Sequence, residues 1–241
     1  MIDTLFRDLR AHCGSGIEVT LTLNLPETLP FDPAAMPFKV RVIRNPQPKG
    51  FGDNHNAAFA SGCSGYFCVI NPDIQLTGNP FPVLIKALND PQVGVAAPLI
   101  LDSQHRVADS ARKFPTVLSI LGKVFHKKTT PDYVIAGDVL YPDWVAGMFM
   151  LFRREVFAEL RGFDKNYFLY YEDVDLCARL RLAGYVTALC PDVSAIHDAQ
   201  RASHRSFRYL KWHLSSLLRF FILSALRKIS PAKPKTRPRD Q

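Results

Sequence analysis

The sequence predicts an α/β fold in which a mostly parallel sheet carries helices on both faces. Segments with strand character alternate with segments of helical periodicity between residues 17 and 189, the order typical of parallel α/β proteins. Hydrophobic residues make up 47% of the 241 residues, which is enough for a substantial core. Because ligands of such sheets bind at the carboxyl ends of the strands, the residues that follow each strand are the first candidates for a functional site.

The predicted elements follow one another in order along the chain. Residues 2–13 place Ile2, Leu5, Phe6 and Leu9 on one face of an amphipathic helix. Beyond this helix, alternating or continuous apolar runs predict strands, and helical spacing between them predicts further helices. We expect strands at 17–23, 39–43, 66–70, 93–99 and 186–189, helices at about 54–60 and 81–89, and a helix that ends at Gly184.

A further amphipathic helix is predicted in the C-terminal part, over residues 201–229. The stripe of apolar side chains can pack against the rest of the protein, or it can lie at a membrane surface. Residues 230–241 are rich in proline and basic residues and are predicted to be disordered. Residues 1–200 are therefore expected to form the main domain. The stripe consists of Phe207, Leu210, Leu214, Leu217, Leu218, Phe221 and Leu226.

The composition excludes several classes of protein. The net charge of +8 suits an anionic lipid surface or a phosphate-bearing substrate, and no recognised nucleic-acid motif accompanies it. Five scattered cysteines without a CxxC pair suggest neither a disulfide framework nor a zinc site, so a reducing, cytoplasmic setting is expected. The sequence shows no signal-peptide core and no run of about twenty apolar residues that would span a membrane.

Three carboxylates within four positions mark the most informative stretch, residues 143–185. Glu172, Asp173 and Asp175 stand at the start of the helix that ends at Gly184. Acids in a first helical turn bind free N–H groups and meet the positive end of the helix dipole. Crowded carboxylates also raise one another's pKa and suit proton transfer, and four aromatic residues directly before them suggest the wall of a pocket. The residues alone leave both interpretations open.

Four motifs surround and include these acids. They are Trp144-Val145-x-Gly147, Phe152-Arg153-Arg154-x-x-Phe157, Gly162-Phe163-Asp164 and Glu172-Asp173-x-Asp175. Together they resemble the acceptor half of a family 2 glycosyltransferase, in its rhamnosyltransferase-like branch. The resemblance implies a GT-A-like, Rossmann-type domain. It also implies inverting transfer of a sugar from a nucleotide-diphosphate donor, of the dTDP-rhamnose kind, to a saccharide or lipid-linked saccharide in surface polysaccharide synthesis.

The resemblance gives the acids and their neighbours roles in the reaction. Such a transfer needs a base on the acceptor hydroxyl and an electrophile on the departing diphosphate. We expect Asp173 to be the base, with Glu172 and Asp175 tuning or positioning it. Trp144 and Gly147 are expected to shape the acceptor site.

Two upstream segments resemble the donor side of the family. Gly50-Phe51-Gly52 and the asparagines after it resemble a Gly-Phe-Gly-x-x-x-Asn segment that lies along the donor nucleotide, although a plain turn is the alternative. Arg112, within Ser110-Ala111-Arg112-Lys113-Phe114-Pro115, can face a phosphate or can be a solvated surface residue. The donor-binding candidates are Gly50, Gly52, Asn54, Asn56 and Arg112.

Asn71-Pro72-Asp73 stands where family members carry an Asp-x-Asp-like motif that binds a divalent cation. Mg²⁺ and Mn²⁺ take oxygen ligands and are commonly held by one or two carboxylates and the substrate phosphates. We expect Asp73 to be a ligand, and His197 to complete the metal or phosphate site. The alternatives are an Asx-Pro turn at a strand exit and a structural histidine.

The chain departs from the family pattern at its beginning. Family members open with a strand before the first helix, whereas this chain starts at the helix, so a start upstream of residue 1 is expected. Leu23-Asn24 stand where the family carries the acid that reads the base. Two other classes therefore remain open. One is a catalytically silent relative that binds a nucleotide or scaffolds an assembly. The other is a basic membrane-surface protein.

The C-terminal helix and its basic residues predict a cytoplasmic protein that lies peripherally at the inner face of the plasma membrane. Several basic residues in or after the C-terminal helix are expected to face anionic lipid. These residues are Arg227, Lys228, Lys233, Lys235, Arg237 and Arg239.

Overall fold

The computed structural model describes residues 2–116, 119–120, 131–135, 137–197 and 207–227. Within these ranges the α-helices are α1 (Ile2–His12), α2 (Phe51–Ser61), α3 (Phe81–Leu88), α4 (Arg154–Glu159), α5 (Glu172–Leu182) and α6 (Phe207–Leu226). The strands are β1 (Glu18–Leu23), β2 (Lys39–Arg44), β3 (Tyr66–Ile70), β4 (Ile74–Leu76), β5 (Val93–Leu101), β6 (Ala111–Arg112), β7 (Trp144–Val145), β8 (Phe149–Arg153) and β9 (Val186–His197).

A five-stranded sheet in the order β3-β8-β5-β9-β4 forms the centre of the protein. Strands β3, β5 and β9 run in one direction, and β8 and β4 run antiparallel to their neighbours. Strands β1 and β2 form a separate parallel pair. The five strands predicted from the sequence fall into these two same-direction sets. The α/β fold is thereby confirmed, with three of the five central strands running in one direction. The sequence pattern did not predict β8 and β4, which run antiparallel to their neighbours, or the short pair β6 and β7.

Helices cover both faces of the sheet, as predicted. Along β5, Val95 and Ala97 join one core cluster, whereas Ala96 and Ile100 join the other. The first cluster includes apolar side chains of α4, α5 and α6, and the second includes those of α1 and α3. Because successive residues of a strand point to opposite faces, a strand buried on both sides reads as a continuous apolar run, as β5 does.

Strand β9 is longer than the sequence indicates. The predicted strand covered residues 186–189, but β9 is 12 residues long and ends at His197. Pairing with β5 on one edge and with β4 on the other continues the strand beyond Pro191, which the local sequence does not favour. In the pairing with β4, His197 lies opposite Ile74, directly after Asp73. The extra length therefore carries His197 to the exit of β3.

Helix α5 begins and ends as its sequence predicts. Its first turn contains the three acids, and Tyr171, the residue before the helix, makes no side-chain capping bond. At the other end, Gly184 has a φ of +92°, a conformation that glycine adopts easily, and its N–H bonds the Arg181 carbonyl. The acids therefore supply the charge that favours the helix start.

Helix α6 packs against the domain by one face only. Ser216 and Phe220 are buried, and Arg227, expected to face lipid, instead bonds the buried Asp175. Leu217 and Phe221 are half-buried. The other face is an exposed apolar stripe, hereafter the outer stripe. It consists of Phe207, Leu210, Leu214, Leu218, Ile222 and Leu226.

Most of the predicted stripe is therefore not packed against the described part of the domain. In the described ranges, no helix combines the length and apolar character needed to cross a membrane. The predicted disordered tail, residues 230–241, lies outside the described residues, as do residues 201–206 and 228–229 of the predicted C-terminal segment.

Candidate active site

The segment 144–148 brings the predicted site residues together. It contains β7, which pairs with β6 and so places Trp144 opposite Arg112. The N–H of Gly147 donates to Oδ2 of Asp173 at 2.9 Å, and the carbonyl of Met148 accepts from the N–H of Asn71 at 2.9 Å. One short segment therefore connects the helix that carries the acids to the turn that carries Asp73.

Asp173 is held by backbone donors while remaining partly exposed. Besides the Gly147 bond to Oδ2, the N–H of Val174 donates to Oδ1 at 2.8 Å. Burial raises the pKa of Asp173, and these two N–H groups and the nearby Arg112 guanidinium oppose that rise. The carboxylate is thus fixed in orientation and poised to take a proton.

Glu172 has a different environment from its neighbour. Its side chain is only 5% exposed, and Oε2 has no hydrogen-bond partner among the described residues. Burial, followed by the charge of Asp173, raises the pKa of Glu172. Glu172 therefore holds its proton at a higher pH than an ordinary glutamate. Its neutral form limits the repulsion on Asp173.

Asp175 joins two helices. It is 1% exposed, and its two carboxylate oxygens bond Arg179 at 2.7 Å and Arg227 at 2.6 Å. With both oxygens engaged by guanidinium groups, it links α5 to α6. Asp175 was predicted to tune or to position Asp173, and this placement suits a positioning role.

Asp73 and His197 form the second acidic part of the site. Their atoms Oδ2 and Nε2 are 3.1 Å apart, and Oδ1 of Asp73 is buried without a hydrogen-bond partner among the described residues. Across the ranges that the structure describes, no three acidic, histidine or cysteine side chains cluster as a complete metal site. A cation here would take two protein side chains and further oxygen ligands from its substrate.

Arg112 lies beside the acceptor candidates. Its guanidinium carbon is 5.7 Å from the centre of the Trp144 ring, and it pairs with Asp109 at 2.7 Å. Its Nε is buried and has no partner among the described residues. The indole N–H of Trp144 bonds the Lys113 carbonyl at 2.9 Å. Arg112 is therefore a positioned cation near Asp173, which argues against a freely solvated surface arginine.

Close packing explains the two glycines at the start of α2. A Cβ on Gly50 would lie 2.8 Å from the carbonyl oxygen of Phe168, and one on Gly52 would lie 2.6 Å from Cβ of Phe163. The N–H of Phe51 also bonds the Phe168 carbonyl at 2.9 Å. The glycines let α2 approach the residues before α5, an arrangement that the sequence motif alone did not indicate.

The two donor-candidate asparagines have partners within the protein. The Asn54 carbonyl oxygen accepts from the Asn45 amide at 2.7 Å. The Asn56 side chain bonds both the carbonyl and the N–H of Phe163, at 2.8 and 2.9 Å. Asn56 therefore fastens α2 to the segment before α5.

Asn24, at the position of the family's base-reading acid, takes part in the same amide cluster. Its side-chain oxygen accepts from the Asn45 amide and from the Lys49 N–H, and its amide donates to the Lys49 carbonyl. Asn24 thus joins the end of β1 to the loop before α2. The cluster lies at the carboxyl ends of two parallel strands, a position from which it could have been anticipated.

Residues 31–214 match the family model described as "Glycosyltransferase like family 2". The chain belongs to this family. The match includes the acidic start of α5, the turn at Asp73 and His197. The prediction of a family 2 glycosyltransferase similar to rhamnosyltransferases is thereby confirmed.

Two curated relatives share substantial sequence with the chain. Rhamnosyltransferase WbbL of Escherichia coli is 35% identical over 185 residues, which cover 71% of this chain and 69% of that protein. N-acetylglucosaminyl-diphospho-decaprenol L-rhamnosyltransferase of Mycobacterium tuberculosis is 32% identical over 148 residues. They cover 57% of this chain and 48% of that protein. The chain thus spans about half the length of the second relative.

Solved structures of low sequence identity share the fold. Residues 1–349 of S. aureus TarS superpose with a TM-score of 0.60 at 10% identity, covering 97% of this chain and 63% of that one. GalNAc-T7, crystallised with UDP, GalNAc and Mn²⁺, superposes with a TM-score of 0.54 at 15% identity, covering 74% and 36%. The predicted GT-A-like fold is confirmed.

Proposed function

We propose that the protein is an inverting glycosyltransferase of cell-surface polysaccharide synthesis. It moves a sugar, rhamnose, from a nucleotide-diphosphate donor to a hydroxyl of a lipid-linked saccharide. The observation that carries this proposal is the bond from the Gly147 N–H to Asp173. This bond holds the partly exposed carboxylate of Asp173 against segment 144–148, which also contacts the turn that carries Asp73. The names of the two relatives support rhamnose as the sugar, and the name of the second supports a lipid diphosphate saccharide as the acceptor.

In the proposed reaction, Asp173 accepts the proton of the acceptor hydroxyl. The hydroxyl oxygen forms a bond to the anomeric carbon while the bond from that carbon to the donor phosphate oxygen breaks. The bond electrons leave with the nucleoside diphosphate, and attack from the opposite side inverts the anomeric configuration. Loss of such general-base help commonly costs about 10²–10⁴-fold in rate. Trp144 and Gly147 border the acceptor side of this carboxylate.

Asp73 and His197 fit a divalent cation, Mg²⁺ or Mn²⁺. The unpartnered Oδ1 of Asp73 supports this assignment. So does the 3.1 Å spacing between Oδ2 and Nε2, since adjacent ligands of an octahedral Mg²⁺ ion lie about 3 Å apart. The cation, when bound, would neutralise charge on the donor diphosphate. GalNAc-T7, which shares the fold, was crystallised with Mn²⁺.

We assign the start of α2 to the donor, as the family motif implies. Gly50 and Gly52 allow the close packing of this helix, and Asn54 and Asn56 place their amides along its first two turns. Arg112, whose side chain is partly exposed, complements this side with a positive charge that suits a phosphate.

A direct assay tests the transfer. The protein is incubated with labelled dTDP-rhamnose, or with UDP- or GDP-sugars, and an N-acetylglucosaminyl-diphospho-lipid acceptor. The product linkage is then determined by NMR. We expect transfer from dTDP-rhamnose with inversion, abolished by Asp173→Asn. Nucleotide binding without transfer to this or other lipid-linked saccharides would contradict the proposal and favour the silent relative.

We further propose that α6 lies at an anionic membrane surface, which holds the protein peripherally at the inner face of the plasma membrane. The outer stripe supplies the apolar side, and the sequence after it contains Lys228, Lys233, Lys235, Arg237 and Arg239. Each basic residue near such a surface contributes about 1 kcal/mol. An apolar stripe followed by a basic segment is the arrangement that favours anionic lipid over a neutral protein partner.

Vesicle co-sedimentation with matched leucine variants tests this surface. Leu218→Ser removes a stripe residue that is 63% exposed, and Leu25→Ser removes a leucine of similar exposure, 54%, outside α6. We expect the parent protein to bind phosphatidylserine vesicles at low salt and to be released at high salt. Leu218→Ser should weaken binding, and Leu25→Ser should not. Failure to bind at low salt, or equal effects of the two variants, would contradict the proposal.

A further inference from the structure

The backbone directly before the acids of α5 is held in an unfavourable conformation. Tyr170 and Tyr171 have φ values of +70° and +66°, in the left-handed region that residues with a side chain rarely adopt. Two successive residues of this kind persist only where the surroundings hold them. Because Tyr171 directly precedes Glu172, this conformation sets the direction in which α5 starts and hence the position of Asp173.

The inner face of α6 contacts the first two residues of this loop, 168–171. The ring of Trp212 stacks on Phe168, with centroids 4.4 Å apart and planes 26° from parallel. The hydroxyl of Ser216 donates to the carbonyl of Leu169 at 2.9 Å. The bond to Leu169 satisfies a backbone acceptor that lies outside any helix or strand.

The same face contacts the two left-handed tyrosines. The His213 ring lies edge-on to both Tyr170 and Tyr171, at 5.4 Å from each ring centre. Phe220 lies 5.8 Å from Tyr171 and belongs to the core. Helix α6 therefore contacts every residue of the loop.

Ion pairs fasten α6 on each side of the loop. Arg219 bonds Asp164 at 2.6 Å, and Arg227 bonds Asp175 at 2.6 Å. On its other side, the loop carbonyl of Phe168 accepts from the first residue of α2. The loop is thus enclosed between α2 and α6, and its conformation depends on both.

We propose that His213 and Trp212 are positioning residues for sugar transfer, because they hold loop 168–171 in the conformation that presents Asp173 to the acceptor. This inference rests on the proposed glycosyltransferase activity. Both residues act through the loop and therefore have no direct part in the bond exchange. Their loss should lower kcat, which depends on the placement of the base, more than the donor KM, which depends on the α2 and Asp73 side. Misplacement of a catalytic group by about 1 Å can cost roughly 10²-fold in rate.

His213 is the better residue to change, because it is exposed and its removal leaves the core intact. The variants are His213→Ala, His213→Phe, which keeps an aromatic ring, and Ser215→Ala as the control. Ser215 is exposed on the same helix, and its hydroxyl bonds the carbonyl of Trp212 within α6. Steady-state transfer and hydrogen–deuterium exchange of the peptide spanning residues 167–175 are measured for each. Trp212→Ala is measured alongside as the second predicted positioning variant.

We expect His213→Ala to lower kcat by about tenfold or more at nearly unchanged donor KM, with faster exchange across residues 167–175. His213→Phe should recover most of both, and Ser215→Ala should match the parent protein. Unchanged exchange in His213→Ala overturns the inference, and so does a donor KM that rises as much as kcat falls. If the parent protein transfers no sugar, the proposed activity fails by itself, and the exchange data alone decide whether His213 holds the loop.

Discussion

The site has two acidic parts, one at Asp73 and one at Glu172 and Asp173, and they differ in the groups that surround the carboxylates. At one, Asp73 faces His197 and keeps a buried oxygen without a partner in the described structure. At the other, Glu172 and Asp173 are neighbouring acids, and the N–H groups of Gly147 and Val174 bond Asp173. An acid beside an imidazole suits a cation, whereas two adjacent acids suit a shared proton. The comparison shows that the neighbours of each carboxylate decide its task.

The largest expected effect comes from removing the proposed base. Asp173→Asn keeps the shape of the side chain but cannot accept the proton, so kcat should fall by about 10²-fold or more. Donor affinity, measured by calorimetry with the nucleoside diphosphate, should change little. A variant that turns over at the parent rate would move the role of base to Glu172.

Weakening the proposed cation site should have the next largest effect. Asp73→Ala should raise the Mg²⁺ or Mn²⁺ concentration needed for half-maximal activity by roughly tenfold or more, since even the outer partners of metal ligands are worth that much. Ca²⁺ should substitute poorly because its bonds are longer. Asp192→Ala is the control, because Asp192 is exposed on the same strand as His197. Full activity in excess EDTA would show that Asp73 and His197 hold no cation that the reaction needs.

A third prediction tests whether loop 168–171, which precedes Glu172 and Asp173, depends on the close approach of α2. Gly50→Ala should destabilise the protein by about 1–3 kcal/mol, because the new Cβ would meet the Phe168 backbone at 2.8 Å. Gly65→Ala is the matched control, since a Cβ there meets no atom within 4 Å. Chemical denaturation gives both free energies of unfolding. Equal effects of the two substitutions would mean that the loop gives way easily.

The smallest effect is a change in pH dependence when Glu172 becomes Gln. Glu172 holds its proton where Asp173 titrates, so Gln, which resembles the neutral glutamate, should leave the acidic limb of the kcat profile in place. It should remove the change in rate that the parent protein shows where Glu172 ionises, near its raised pKa of about 8. Rate profiles between about pH 4 and pH 9 measure both limbs. An acidic limb that moves in the variant would show that Glu172 is charged where Asp173 titrates.

The same substitution makes a prediction for stability. The pKa of Glu172 is raised in the folded protein, so the folded state binds more protons than the unfolded state above about pH 4. The parent protein therefore loses stability as pH rises from there through the raised folded pKa, and Glu172→Gln does not share that loss. The Tm advantage of the variant should grow as pH rises from about 4.

Sequence patterns predicted the elements whose signals are local. Strand β5 is a continuous apolar run, and α5 carries its acids and its terminal glycine in order, so both were placed correctly. Strand β8 was missed because Phe149–Arg153 is a short apolar run that no turn residue separates from helix α4. The extension of β9 was missed because it depends on two neighbouring strands that are distant in sequence.

The chemistry of the site followed the same division. The order of motifs placed Asp73, His197 and Asp173 as candidates, and the structure pairs the first two. Periodicity identified the C-terminal stripe but could not show which face of α6 the domain covers. The link from Arg227 to Asp175 and the left-handed conformation of Tyr171 arise from tertiary packing, which no local pattern records.

The two-faced character of α6 also has a consequence for the acceptor. A helix with its side chains is about 10–12 Å across, and the outer stripe and loop 168–171 lie on opposite sides of α6. With the stripe in the headgroup layer, loop 168–171, which leads into the helix of Asp173, would stand off from the lipid by about that thickness. A sugar joined directly to a lipid would fall short of the carboxylate. A diphosphate spacer would lengthen the reach of the acceptor, so the thickness of one helix would select for the length of the linkage beneath the sugar.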